Sequence, residues 1–422
     1  MRIRLWLLLS LFAGGVTYLY TSRILGPWEH YVNVEHGTLK AQMGDLYPSW
    51  VGTRELLLRR RNPYGADVSH EIQMAYYGHA IDQTYGEPRA SVIDEQRFAY
   101  PVYVVFLLAP TVHLNFLPVQ TWAPLLFASL TAMSVILWLD ILRWRPPVHL
   151  ITAIVLLVLS SPQIVQGLRL RQLGLLVGFL LALSAWCISR NYLVTAGIVL
   201  AISTLKPQMA FLPVAWFLVW SVGSWPKRWP FLAGFGITLA SLAGAGEIIL
   251  PGWPRFFLSG VLAYRHYSMT TSFFTLAFGP WVSAALSGIA IAGLLAVAWR
   301  NRGAEAFSQE FTYTFVLFLI TAALFLPLLT PFNQILLLMP ALLIIRRWHA
   351  LSLVGRSAFG IVVAWPWLTS LVLILLRPPL DSPSRVPLLP AAMSLLLPFV
   401  ISLLAVSSRI WTKQTRLVPT DI

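Results

Sequence analysis

Asp45, in the run Gly44-Asp45-Leu46-Tyr47-Pro48, is the residue whose type and setting point most directly to chemistry. It lies on a long polar stretch right after the first apolar run. That stretch, from Glu29 to Glu95, carries 10 of the chain's 16 carboxylates. A carboxylate here has two uses, as a general base at a membrane surface or as the cap of a helix starting near Tyr47. The opposite charge is concentrated elsewhere. Arg169, Arg171, Lys206, Arg255, Arg265, Arg377 and Arg385 fall at outer ends of apolar segments, balanced there only by Glu247 and Asp381. Charges at a membrane edge are costly and mark ligand sites, unless the long stem snorkels and the head reaches water. Gathered together they suit a membrane-embedded phosphate, and Lys206, Arg171, Arg169 and Arg265 are the candidates to hold it.

Polar and aromatic neighbours complete a candidate pocket. Gln172 follows Arg171, while Asn333 and Gln334 head an apolar run; each could line a pocket or bond to backbone. Tyr47 and Tyr100 suit the pocket wall or the aromatic belt of a bilayer interface. His266, in Tyr264-Arg265-His266-Tyr267, sits on a stretch that could cover the site or be an ordinary surface loop. No His, Cys or carboxylate cluster has metal-ligand spacing and no Gly-rich phosphate loop is present, so neither metal nor cofactor is expected. Cys187 is the only cysteine, which excludes an intrachain disulfide.

The elements that position these residues are transmembrane helices. Hydrophobic residues make up 57% of the chain, charged ones only 11%, and mean hydropathy is +0.71. Repeated apolar runs of about 20 residues are long enough to cross a hydrocarbon core, so the fold class is an all-α polytopic membrane protein, one integral domain over 1–422. The net charge of +14 is not a nucleic-acid footprint, because the basic residues cluster in short turns between apolar runs. Thirteen runs qualify: 5–22, 99–117, 118–142, 148–162, 171–189, 192–206, 208–222, 231–250, 281–299, 310–327, 331–346, 357–376 and 386–408. The first reads as an uncleaved signal anchor.

Lys and Arg in short loops stay cytoplasmic. Arg143, Arg145, Arg190, Lys227, Arg228, Arg300, Arg302, Arg346 and Arg347 all obey this only if one early run fails to cross. The weakest is 99–117, interrupted by Pro101, Pro110, His113 and Asn115. It is expected to lie at the outer surface or re-enter; the alternative is that it spans and the pair 192–206 and 208–222 is miscounted. About twelve crossings follow, with both termini cytoplasmic, a first exoplasmic loop over 23–117 and a second over 251–280. Within the first loop, 47–61 reads as an amphipathic helix stopped by Asn62-Pro63, and 71–85 as a second helical patch.

Five segments resemble, in order, glycosyltransferase family 87 of the multi-pass GT-C glycosyltransferases, which includes a mycobacterial polyprenyl-phosphomannose-dependent mannosyltransferase. They are Asp45-Leu46-Tyr47-Pro48-Ser49-Trp50 with the stretch to Gly65, Phe98-Ala99-Tyr100-Pro101, Arg171-Gln172-Leu173-Gly174, Ala196-Gly197 with Lys206-Pro207, and Thr330-Pro331-Phe332-Asn333-Gln334. Together they span roughly 40–345. The resemblance implies a GT-C-type bundle that transfers a sugar from a polyprenyl-phosphate donor to an acceptor at the exoplasmic face of the cell membrane. It also implies inversion at the anomeric carbon and no metal, with Asp45 at the family's catalytic position. The acceptor (a glycolipid, glycan or protein) is not implied, and mannose is the sugar the family favours. Two departures point to a different acceptor or sugar: the family's Gly-Gln-x-Asn reads Arg171-Gln172-Leu173-Gly174 here, and Asn333 and Gln334 stand where relatives often carry histidine. A polytopic transporter or flippase of a lipid-linked or anionic substrate, and a non-catalytic assembly subunit, are the competing expectations.

Overall fold

The structure, a computed structural model, describes residues 2–35, 43–78, 96–267, 273–325, 330–381, 386–392, 396–407 and 411. Every regular element among them is helical. In chain order these are α1 (Arg2–Tyr20), α2 (Gly26–Glu35), α3 (Leu46–Arg59), α4 (Ala66–Tyr77), α5 (Val104–Leu108), α6 (Phe116–Ile141) and α7 (Val148–Ser160). They continue as α8 (Pro162–Arg169), α9 (Leu173–Ser189), α10 (Leu193–Ser203), α11 (Pro207–Val222), α12 (Trp225–Ile249) and α13 (Trp253–Tyr267). The rest are α14 (Phe273–Asn301), α15 (Gln309–Phe325), α16 (Leu338–Arg346), α17 (Leu353–Leu376), α18 (Leu389–Ala392) and α19 (Leu397–Val406).

Among the described residues, five helices are long and apolar enough to cross a membrane: Leu5–Val34, Phe116–Ile141, Trp225–Ile249, Phe278–Asn301 and Leu353–Leu376. A sixth is added if α7 and α8, bent by 60° at Ser161-Pro162, count as one span. Shorter apolar helices of 10–17 residues fill the remaining runs. The segment 99–117 holds α5, a 3-10 turn, Ala109–Thr111, and the first two residues of α6. Five residues of helix rise about 8 Å, far short of a bilayer, because the prolines and Asn115 interrupt the backbone ladder.

Several boundaries differ from the sequence expectation. The first helix continues through a π-helical turn, Thr21–Leu25, to Glu35, so the polar loop begins well after 23. The first patch of that loop is α3, ending where Arg60 turns left-handed (φ 54) ahead of Asn62-Pro63. The second helix begins earlier than expected, at Ala66, and residues 79–85 lie outside the described residues. Part of the expected second loop is the helix α13, and α14 bends at Gly279-Pro280, where Gly279 has φ 78. The last run is split by Pro387, Pro390 and Pro398 into short pieces.

The core is aromatic between α11 and α15. Trp216, Phe217, Trp220, Phe311, Phe315 and Phe318 are almost fully buried there, with tilted, stacked or edge-on rings 4.9–6.1 Å apart. At the crossing of α10 with α12 the backbones nearly touch. A Cβ on Gly197 would meet Phe231 O at 2.2 Å, and one on Gly234 would meet Val194 O at 2.4 Å. Lipid gives no hydrophobic drive between helices, so small residues that admit close packing hold such a crossing.

The polar loop folds onto the bundle through paired motifs. Phe98 covers Gly52, where a Cβ would come within 2.3 Å of its ring, and Tyr64 Oη donates to Tyr100 O at 2.6 Å. Glu55, almost fully buried, accepts from Arg59 at 2.9 Å and Arg61 at 2.6 Å. Arg61 also donates to Glu71 and Asp67, which ties α3 to α4. Those hydrogen bonds hold the Asp67 carboxyl below the usual carboxylate range.

Candidate functional site

Asp45 sits where α3 begins, yet its side chain makes no capping hydrogen bond. The carboxylate turns instead toward the α8–α9 turn, where Gln172 Nε2 donates to its Oδ2. The main chain is fastened to the same turn, Asp45 N donating to Leu170 O at 2.8 Å. Gly44 makes that approach possible. It adopts φ 71, and a Cβ there would meet Leu170 O at 2.8 Å and Arg171 Nη1 at 3.0 Å. Any other residue type would carry left-handed strain and lift the loop off the turn.

Behind Gln172 lies a buried ammonium. Lys206 precedes Pro207, the first residue of α11, and proline suits that position because its missing N–H has no partner there anyway. Only 4% of Lys206 is exposed, so its charge must be met inside the protein. Its Nζ donates to Gln172 Oε1 and Asn333 Oδ1, both at 3.0 Å, and stands 4.8 Å from the centroid of the Phe332 ring. Gly174 forms the lid: a Cβ there would lie 3.1 Å from Nζ, from Asn333 Oδ1 and from Met209 Sδ.

An ammonium can only donate, and this fixes the sense of the whole network. Both amides must turn oxygen toward Lys206, so both NH2 groups point away. Asn333 Nδ2 then donates to Thr330 Oγ1 at 2.8 Å. Gln172 Nε2 is left facing Asp45, whose Oδ2 accepts. Asp45 also supplies the negative charge that acts on Lys206. The turn carrying Lys206 is itself pinned, since Tyr103 Oη donates to Thr204 O at 3.0 Å.

The other sequence candidates fall around this centre with different engagements. Arg171 is left-handed (φ 53), donates from Nε to Gln120 O at 3.1 Å and from Nη1 to Arg169 O at 2.8 Å, and packs against Gly44. Arg169 is ion-paired with Glu29 at 2.5 Å. Tyr47 packs edge-on to Phe116 at 4.9 Å, and burial pushes its hydroxyl pKa up. Tyr100 is half-buried and Gln334 directly follows Asn333 in the same 3-10 segment. Arg265 and His266 lie on α13, with side chains outside the described residues. Arg255 and Arg377 are exposed, and Arg385 lies outside the described residues. Thus Asp45, Gln172, Lys206 and Asn333 form one connected unit with Arg171 alongside it.

Sequence reasoning missed Gly44, Gly174, Tyr103, Thr330 and Phe332, which shape that unit. Gly44, Gly174 and Phe332 carried a signal, since each stands within two residues of a singled-out polar side chain, whereas Tyr103 and Thr330 did not. Among the described residues no group of three or more His, Cys, Asp or Glu could hold a metal ion. Chemically, the unit presents a half-buried carboxyl group of fixed orientation, braced by a buried cation through a neutral amide. Comparison with protein-family models, curated proteins and solved structures found no match to this chain.

Proposed function

We propose that the chain is a membrane glycosyltransferase that moves a sugar from a polyprenyl-phosphate donor to an acceptor hydroxyl at the Asp45 end of the bundle. The proposal includes twelve crossings: the five long helices, the bent α7–α8 pair and the six shorter apolar helices. Both termini are then cytoplasmic and Asp45 faces outward across the cell membrane. The observation that carries the proposal is that Asp45 forgoes its helix cap and is held in place by Gln172, itself oriented by Lys206. The depth of the site agrees with a lipid-borne substrate. Helices α9 and α10, whose ends carry Gln172 and Lys206, have 17 and 11 residues. They rise about 26 and 16 Å, against a hydrocarbon core of about 30 Å, so those ends are recessed.

In the proposed step Asp45 takes the proton of the acceptor hydroxyl. Its oxygen bonds to the anomeric carbon, inverting it, and the bond from that carbon to the phosphate oxygen breaks. The lipid phosphate leaves with the electron pair. Lys206, covered by Phe332 and Gly174, positions the base, whereas Arg171 at the Gly44 loop is the cation placed to meet the phosphate. Arg169 would have to leave Glu29 to take part.

The test uses membranes expressing the wild type or Asp45→Asn, given radiolabelled polyprenyl-phosphate sugars with the mannosyl donor first. Labelled product in the lipid extract should fall by about 10² to 10⁴-fold in the variant. Undiminished transfer refutes the assignment of Asp45. One observation favours a transporter instead: the bent α7–α8 pair and the 3-10 segment Pro331–Leu337 meet where Gly167 lies against Phe332, and broken helices often line substrate paths. Movement of donor across the membrane without new product would establish that function.

A further inference from the structure

At the far end of α9 from Gln172 an open cavity of about 320 Å³ lies between the end of α6, the end of α9 and the turn before α15. Arg143, Arg145 and Arg190 line it together with one carboxylate, Asp140. That carboxylate is already engaged, accepting from Arg190 Nη2 at 2.6 Å and Trp186 Nε1 at 2.8 Å. Arg143 donates its backbone N–H to Asp140 O at 2.9 Å, but the side chains of Arg143 and Arg145 make no hydrogen bond or ion pair among the described residues, so two guanidinium forks stay open at the rim. Like charge accumulates further, because Arg346 stands close enough to Arg143 to be repelled by it. The walls are shaped at some cost: Arg143 (φ 50) and Phe307 (φ 55) both hold left-handed backbone, which side-chain-bearing residues avoid.

Excess cations converging on a concave site call for an anion, and open guanidinium forks match the paired oxygens of a phosphate. The cavity lies about 26 Å along α9 from the Asp45 network, at the other surface of the bundle, and so is independent of any donor bound there. We propose that this cavity binds the phosphate diester of an anionic lipid headgroup at the membrane surface opposite Asp45. The lipid source follows from place: the cavity lies at the end of α6, one of the five helices long and apolar enough to cross a membrane, and headgroups are the abundant phosphates at a membrane surface.

The full chain, purified in non-ionic detergent, would be dosed with phosphatidylglycerol, phosphatidylcholine or inorganic phosphate. Native mass spectrometry would count retained lipid, and thermal unfolding would report stabilisation. Retention of phosphatidylglycerol over phosphatidylcholine, weakened at least tenfold in Arg143→Gln/Arg145→Gln, is the expected result. The control Lys227→Gln/Arg300→Gln removes two exposed basic residues at the same end, outside the cavity lining, and should retain lipid as the wild type does. Equal losses in the two double variants would mean general surface charge and overturn the site. So would unchanged retention in the Arg143/Arg145 variant, and stabilisation by inorganic phosphate alone would overturn the lipid source.

Discussion

Lys206 is costly to bury, and what makes it tolerable is a chain of partners rather than a direct ion pair. Gln172 and Asn333 solvate the ammonium, and Asp45 supplies countercharge through Gln172. Removing one charge should therefore hurt more than removing both. Asp45→Asn strands the ammonium, Lys206→Met frees the Gln172 amide to turn over, and the double substitution leaves a neutral site. A double-mutant cycle of unfolding in detergent should give a coupling of about 1–2 kcal/mol between the two positions; simple additivity would show that the network carries no energy. Lys206→Arg should not restore the wild-type value, because the wider planar fork has no room beneath Gly174 and Phe332. Gln172, Lys206 and Asn333 were legible as polar residues at the ends of apolar runs, and Asp45 as an acid on the polar stretch after the first one. Their order of connection was not, since Gln172 and Asn333 lie 34 and 127 positions from Lys206. Nor could type and position show that Arg169 is occupied by Glu29, 140 positions away.

Elements were legible where apolar runs were long, as in α6, α12 and α17, each helical through a single interior proline, and least so where several prolines or left-handed residues cut them. Arg171 delays α9 to Leu173, and the prolines after 386 break the last run. Helix contacts were invisible in the pattern, and the α10–α12 crossing is the clearest instance. Ala196-Gly197 read only as a motif, whereas the structure gives Gly197 a reason: there is no space for a Cβ. Because the obstructing atoms are backbone, they cannot swing away. Gly197→Ala and Gly234→Ala should each destabilise by about 1–3 kcal/mol and shift the α10 end that carries Lys206. Gly236→Ala, on the same helix with nothing within 4 Å, should be neutral or stabilising, as alanine favours helix. Equal effects at all three positions would remove the close crossing as the explanation. In the polar loop, Arg61→Gln should cost about 2 kcal/mol, since a buried carboxylate loses a charged hydrogen bond. Hydrogen exchange in α4 should quicken while α9 stays protected. Matching rates in wild type and variant would show that the Glu55–Arg61–Glu71 pairs do not hold α4.

At the scale of the whole molecule, one helix orients everything. Gln172 at the start of α9 belongs to the Asp45 network, and Arg190 at its end belongs to the arginine cavity. The two functional proposals therefore require opposite membrane faces. The proposed topology puts the Arg143, Arg145 and Arg190 end in the cytoplasm, in line with the positive-inside tendency, and in it the stretch around the five-residue α5 does not cross. The chain's single cysteine makes the assignment measurable. Cys187 is 3% exposed, so a membrane-impermeant maleimide should leave the wild type unlabelled. His70, exposed on α4, and Arg145, exposed beside the cavity, are suitable reporters. In intact cells His70→Cys should react at once and Arg145→Cys only after permeabilisation. Reaction of both from outside would place the two sites on one face, and the reverse order would put Asp45 in the cytoplasm, where an exoplasmic lipid-linked sugar could not reach it.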